Sequence, residues 1–252
     1  MGLRSTAGGD RRRSVRAAIL RAGWRRSMTE FLRQSLVIAG KDLTIEARSK
    51  ERLISMLTFA VLVGVVFTFS LDATVPSRSI AGAMLWVSIL FAGMLGLGRS
   101  FTLEKEQDAL VGVLLTPVGR GAFYFGKFLA NLALVTGTTL LIFFVYGLFF
   151  QLNLWAAWTG LALVTALYLI GFMALGTLFS AVAASTRLGD SLLPIILLPL
   201  LIPVIFFGAT AAQRLILGRP LEEVAGSIRM LGAFDLLFLF ACTIVFGKVV
   251  EE

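Results

Sequence analysis

Apolar residues fall along this chain in long uncharged runs, not in the periodic stripes of a soluble helix: Leu53 to Leu71, Ser79 to Gly98, Phe128 to Thr186, and Ser191 to Gln213. A helix needs roughly 20 residues, rising 1.5 Å each, to cross the hydrocarbon of a bilayer. The first, second and fourth runs therefore predict one span apiece. The third is long enough for two. Its polar break, Gln151 to Asn153, is followed by Trp155 and Trp158, whose side chains favour the membrane–water interface. A tight interfacial turn there divides the run. A last apolar run, Leu231 to Gly247, holds one acid, Asp235. The pattern predicts an all-α, polytopic membrane protein with six transmembrane helices.

Charge adds an orientation. Lys and Arg resist translocation more than acids do, and with the N-terminus inside, nineteen of the 23 basic residues fall on the cytoplasmic side. Only Arg78, Arg214, Arg219 and Arg229 fall outside, so both termini are expected in the cytoplasm of a cell or the equivalent compartment of an organelle. The net charge of +8 is concentrated in an N-terminal arm, residues 1–35, and needs no nucleic acid to explain it. Residues 11–33 of the arm read either as a basic helix on anionic membrane lipid or as a disordered tail. Arg21, Arg25 and Arg26 interrupt any signal-peptide core, so the arm is expected to stay attached.

Between the second and third spans the chain turns polar: residues 99–127 read RSFTLEKEQDALVGVLLTPVGRGAFYFGK. On a helix, Leu103, Leu110 and Leu114 form one stripe, and Glu104, Lys105 and Asp108 occupy the other side. Pro117, with Gly119 and Gly121, ends the element, and Lys127 marks the return to the membrane. An ordinary cytoplasmic loop and a docking helix for a soluble partner both fit this pattern.

Two further features stand inside the apolar runs. Pro199 and Pro203, in a span that also carries Pro194, lack an N–H, which strips the carbonyls of Ile195 and Pro199 of their helical partners. In hydrocarbon, neighbouring helices are expected to cover them. The prolines are either a packed kink or a moving hinge. Asp235, if its span begins near Met230, lies roughly 7 Å into the helix, where it would gain from the helix dipole and reach water at the outer leaflet. A proton relay and a substrate ligand are its alternative readings. The amphipathic stretch before it, residues 214–230, is expected to form a partly re-entrant outer cap.

Catalytic chemistry is sparse. The chain has no His, which excludes a histidine general base, a His zinc site and His-ligated haem within it. The single Cys242 cannot form an intrachain disulfide. No GxxxxGK[ST] loop is present, and GRGAFYFGK has the wrong spacing. An intramembrane enzyme is disfavoured, because paired intramembrane carboxylates are missing too.

The acidic segment followed by LLTPVGRGAFYFGK resembles the membrane subunits of type-2 ATP-binding-cassette (ABC) exporters, and KDLTIEARSKERLISML resembles the interfacial helix before their first span. SLLPIILLPLLIPVIFFGATA and the preceding ALYLIGFMALGTLFSAVAASTRLGDSLL are similar to the haem exporter protein B family, the CcmB-type permeases of cytochrome c maturation, over roughly Leu36 to Val250.

The resemblance implies a type-2 ABC exporter permease fold over residues 36–252, with an interfacial helix at 36–52. It makes residues 99–127 the coupling segment, with Leu103, Glu104, Asp108, Leu110, Leu114, Pro117 and Lys127 as its coupling residues, and Pro194, Pro199 and Pro203 as hinge candidates. It also implies a cassette ATPase partner that binds the ATP, further membrane subunits, a haem chaperone, haem as substrate and a bacterial or organellar inner membrane. An exporter of lipid, drug or polysaccharide is the alternative within the class.

Overall fold

The computed structural model describes residues 7–70, 77–101, 119–152, 154–186 and 189–249. Among these the chain is all-helical: α1 (Ala7–Ser49), α2 (Glu51–Ser70), α3 (Ser77–Gly98), α4 (Arg120–Phe149), a 3-10 turn (Leu154–Ala157), α5 (Trp158–Ser185), α6 (Gly189–Ile216) and α7 (Leu221–Val249). Five of them, α2, α4, α5, α6 and α7, are long and apolar enough to cross a membrane, and α3 contributes a shorter apolar stretch, Gly82–Gly98. The chain is a polytopic helical membrane protein.

These helices are apolar on every side, the composition a helix needs when one face meets protein and the other meets lipid. Phe69, Phe144, Ile195 and Phe240 point outward with most of their surface uncovered. The core gathers around α5, whose Val164, Tyr168, Phe172 and Met173 are buried among α3, α4, α6 and α7. Small polar residues are packed into the same interior. The Ser88 hydroxyl bonds to the Tyr146 phenol between α3 and α4, and Ser180 Oγ donates to the Leu97 carbonyl at 2.5 Å, joining α5 to the end of α3. Between membrane helices such bonds and close packing do what apolar burial does in water.

The turns follow their residues. The apolar run 128–186 divides where the tryptophans indicate: α4 ends at Phe149, Gln151 takes φ 49°, and α5 begins at the exposed Trp158. Gly218, at φ 79°, closes α6. Its N–H reaches the Leu215 carbonyl at 3.0 Å, and the Arg219 N–H reaches the Arg214 carbonyl at 3.0 Å, the paired bonds of a Schellman end. Pro220 then precedes α7, and Glu222 and Glu223 in its first turn suit the positive end of the helix.

Three expectations meet a different arrangement. Arm and interfacial helix are parts of one element, since α1 runs through residue 36 without a break. The stretch 214–230, expected as an outer cap, is divided between the end of α6, the turn at Gly218 and the start of α7, and α7 passes Met230 uninterrupted. Helix α6 likewise continues through Pro194, Pro199 and Pro203. Ile195 and Pro199, whose carbonyls lose their helical partners, lie on its exposed face and not under a neighbouring helix of this chain.

Helix α1 lies along α4, and Gly126 marks the closest approach: a Cβ there would stand 2.8 Å from Ile38 Cβ and 2.8 Å from the Ser35 carbonyl oxygen. A backbone oxygen cannot swing aside as a side chain can. Gly126→Leu should therefore push α1 away from α4 and destabilise the protein by about 1–3 kcal/mol, the usual range for overpacking. Gly137→Ala, where a Cβ meets nothing within 4 Å, serves as the control. A lowered melting temperature in detergent for the first variant alone is the expected result.

Candidate functional site

The polar residues of the chain converge where α1 ends and α2 begins. Lys50, at φ 55°, turns the chain between the two helices. Its N–H donates to the Glu46 carbonyl at 2.7 Å. The Glu46 carboxylate reaches across the turn and accepts the Leu53 N–H at 3.1 Å, capping the start of α2. Two pairs at helical i, i+4 spacing face each other here: Asp42 and Glu46 on α1, Lys127 and Asn131 on α4.

Lys127 is the centre of this arrangement. It is 2 % exposed, and its ammonium lies 2.9 Å from Asp42 Oδ2, donates to the Ser100 carbonyl at 3.1 Å and stands 4.9 Å from the centre of the Phe101 ring. Lys41 approaches the other Asp42 oxygen at 3.2 Å. Asn131 carries the connections further inward. Its carbonyl oxygen accepts from Arg52 at 2.8 Å and from Ser100 Oγ at 2.9 Å, and its amide donates to Thr177 Oγ1 at 3.1 Å. Arg52 in turn faces Glu46 at 3.9 Å. The network therefore joins α1, α2, the end of α3, α4 and α5.

This network grips the charged segment by its flanks. On one side, Ser100 and Phe101 are held by Lys127. On the other, the Gly119 N–H donates to Gln34 Oε1 at 3.2 Å, and Ser35 Oγ donates to the Ala122 carbonyl at 3.1 Å. Helix α1 thus holds both ends, directly at Gln34 and Ser35 and through Asp42 to Lys127. Arg99, at the head of the segment, pairs with Glu51 of α2. Beside the network a cleft of about 740 Å³ sets Glu46, Arg52, Arg99 and Lys127 next to Phe59, Phe91, Leu193 and Pro194.

The residues singled out from sequence are distributed unevenly. Leu103, Glu104, Asp108, Leu110, Leu114 and Pro117 lie outside the described residues. Lys127 is not a surface contact point but a buried tie. Pro194 lines the cleft, and Pro199 and Pro203 lie further along α6. Asp235 is elsewhere, against α5. It lies fourteen residues beyond Leu221, roughly 21 Å along α7 at 1.5 Å per residue, which rules out the expected place near a helix N-terminus. Asp42, Glu46, Arg52, Ser100, Asn131 and Thr177 were not singled out. Their signal was the matched i, i+4 spacing and an Asn early in an apolar run.

Fold and site together define a multi-pass membrane protein whose buried charges hold helices to one another. The sequence profile of the CcmB protein family matches residues 33–251. A heme exporter protein B of Bradyrhizobium diazoefficiens is 33 % identical over 171 residues, covering 66 % of this chain and 74 % of that protein. Those of Paracoccus denitrificans and Haemophilus influenzae are 31 % and 27 % identical, over 69 % and 79 % of this chain and 80 % and 88 % of theirs. The chain belongs to the CcmB protein family.

Removing one member of a buried ion pair leaves the other charged and unpaired, typically a loss of 3–5 kcal/mol. Lys41 still reaches Asp42, so Lys127→Met should fall at about the lower end of that range. Adding Asp42→Asn should recover most of the loss. Thermal unfolding of the two single variants and the double variant, read as a double-mutant cycle, checks this. Additive losses would show that the pair is not coupled.

Proposed function

We propose that this chain is the permease subunit of an ABC transporter complex that exports or handles haem in cytochrome c maturation. A cassette ATPase binds and hydrolyses the ATP, and the permease turns that motion into haem delivery or release of a haem-loaded chaperone. The observation that carries this reading is the hold of α1 on both flanks of the charged segment. A displacement of residues 102–118 would pass through Ser100 and Gly119 into α1 and, by way of Lys127 and Asn131, into four other helices. The names of the relatives support haem as substrate.

In the same reading α2 to α7 are six spans of an inner membrane, with both termini cytoplasmic. A reporter fused after Glu252 should be active in its cytoplasmic form and silent in its periplasmic form. Periplasmic alkaline phosphatase activity from that fusion would overturn the orientation.

Residues 103–115 dock the ATPase through Leu110 and Leu114, with Glu104 and Asp108 on the polar side. Replacing both leucines by Asp should remove roughly 1.5–3 kcal/mol per buried side chain and weaken binding at least about tenfold, with membrane insertion intact. Charge reversal of Glu104 and Asp108 should do less, because exposed ion pairs are worth under about 1 kcal/mol. Co-purification of the ATPase and vanadate-sensitive ATP hydrolysis at equal expression decide the matter. A double leucine variant that keeps both would move the coupling site elsewhere.

A further inference from the structure

Asp235 is 5 % exposed, halfway along α7, and among the described residues its carboxylate meets no side-chain donor and no hydrogen bond of normal geometry, with only the Gly171 backbone placed to interact with it. Its side chain enters a notch made by a missing one: a Cβ on Gly171 of α5 would stand 2.6 Å from Asp235 Oδ1 and 3.7 Å from the methyls of Val204 on α6. Among the described residues no positive group answers it. Helix α5 has no charged residue, α6 has none from Leu192 to Gln213, and on α4 the bases are Arg120 and Lys127, near its start, with Lys127 committed to Asp42. On α7 itself Arg229 is exposed. Along the two helices of the seam the other titratable groups are Tyr168, one turn before Gly171 on α5, and on α7 Cys242, two turns beyond Asp235, with Glu222, Glu223 and Lys248 near the ends of that helix.

An isolated carboxylate in such surroundings is so unfavourable that the group takes up a proton instead. A second observation points the same way. Tyr168 and Thr165, one and two turns before Gly171 on α5, are buried with hydroxyls that also lack partners, and so is the Trp86 indole N–H of α3, whose ring lies 4.1 Å from that of Tyr168. Unpartnered buried polar groups are rare in native interiors and call for an explanation. Here three of them lie along the helix that receives Asp235, or against it, towards its Trp158 end.

We propose that Asp235 is a proton-binding site inside the membrane, its carboxyl carried neutral while α5 and α7 are packed at Gly171. The reaction is addition of H⁺ from bulk water to one carboxylate oxygen, and no electron moves. The packing of α5 against α7 at Gly171 is what keeps the carboxyl from water, so the state of the proton is tied to that seam. The proposal goes beyond haem handling and ATPase coupling and stands or falls without them.

Infrared spectra of the complete complex in lipid bilayers at neutral pH test it. The wild type should show the carbonyl stretch of a protonated carboxylic acid, shifted in heavy water. Asp235→Asn, a neutral near-isostere, should lose that band while keeping assembly and melting temperature close to wild type. Asp235→Glu, as a second variant, should move the band without abolishing it. A wild-type spectrum with no protonated-acid band overturns the proposal however the variants fold. So does a band that survives unchanged in Asp235→Asn, or an Asn variant that loses an ionised carboxylate signal together with its partner subunits, which would mark a salt bridge to another chain.

Discussion

The buried pair of Lys127 and Asp42 is the constraint on which this architecture depends. An ammonium at 2 % exposure is tolerable only if each of its donor directions is met, and here a carboxylate, a carbonyl and an aromatic face meet them. Those three partners come from α1 and from the residues that follow α3. Satisfying one lysine therefore sets the position of α1 relative to the start of α4 and fixes where the charged segment departs. Gly126, one residue earlier, lets α1 come close enough for the pair to form.

From this tie the remaining polar contacts extend into the bundle. Asn131 lies one turn beyond Lys127 and shares Ser100 with it, so the same face of α4 that secures α1 also reaches Arg52 of α2 and Thr177 of α5. In a bilayer such contacts carry orientation, because apolar side chains gain little by leaving lipid for protein. The described network is dense where the charged segment enters and leaves the bundle, at Ser100 and Lys127 and at Gly119 and Gln34.

Much of the fold was legible in the sequence, because the bilayer imposes a length and an apolar composition that local pattern reveals directly. The division of the run 128–186 at Gln151 is an instance, since interfacial tryptophans need no tertiary knowledge to interpret. The site was legible only in part. Lys127 was marked as a boundary, but its burial depended on Asp42, which lies 85 positions earlier. The place of Asp235 was misjudged because the helix was started at the apolar run, whereas α7 begins at Leu221, where Pro220 and two glutamates make a good N-terminus.

What the sequence by itself determined is the class, the apolar helical stretches and the absence of histidine or phosphate-loop chemistry, all consequences of composition and local period. Tertiary structure alone decided which polar residues meet. Asp42 and Lys127, Arg52 and Asn131, and Asp235 and Gly171 are separated by many residues, and no local pattern encodes the distance between two helices. That distance comes from packing: a glycine where backbones touch, a turn at Lys50 that swings α1 beside α4, and the requirement that every buried charge find a partner or lose its charge.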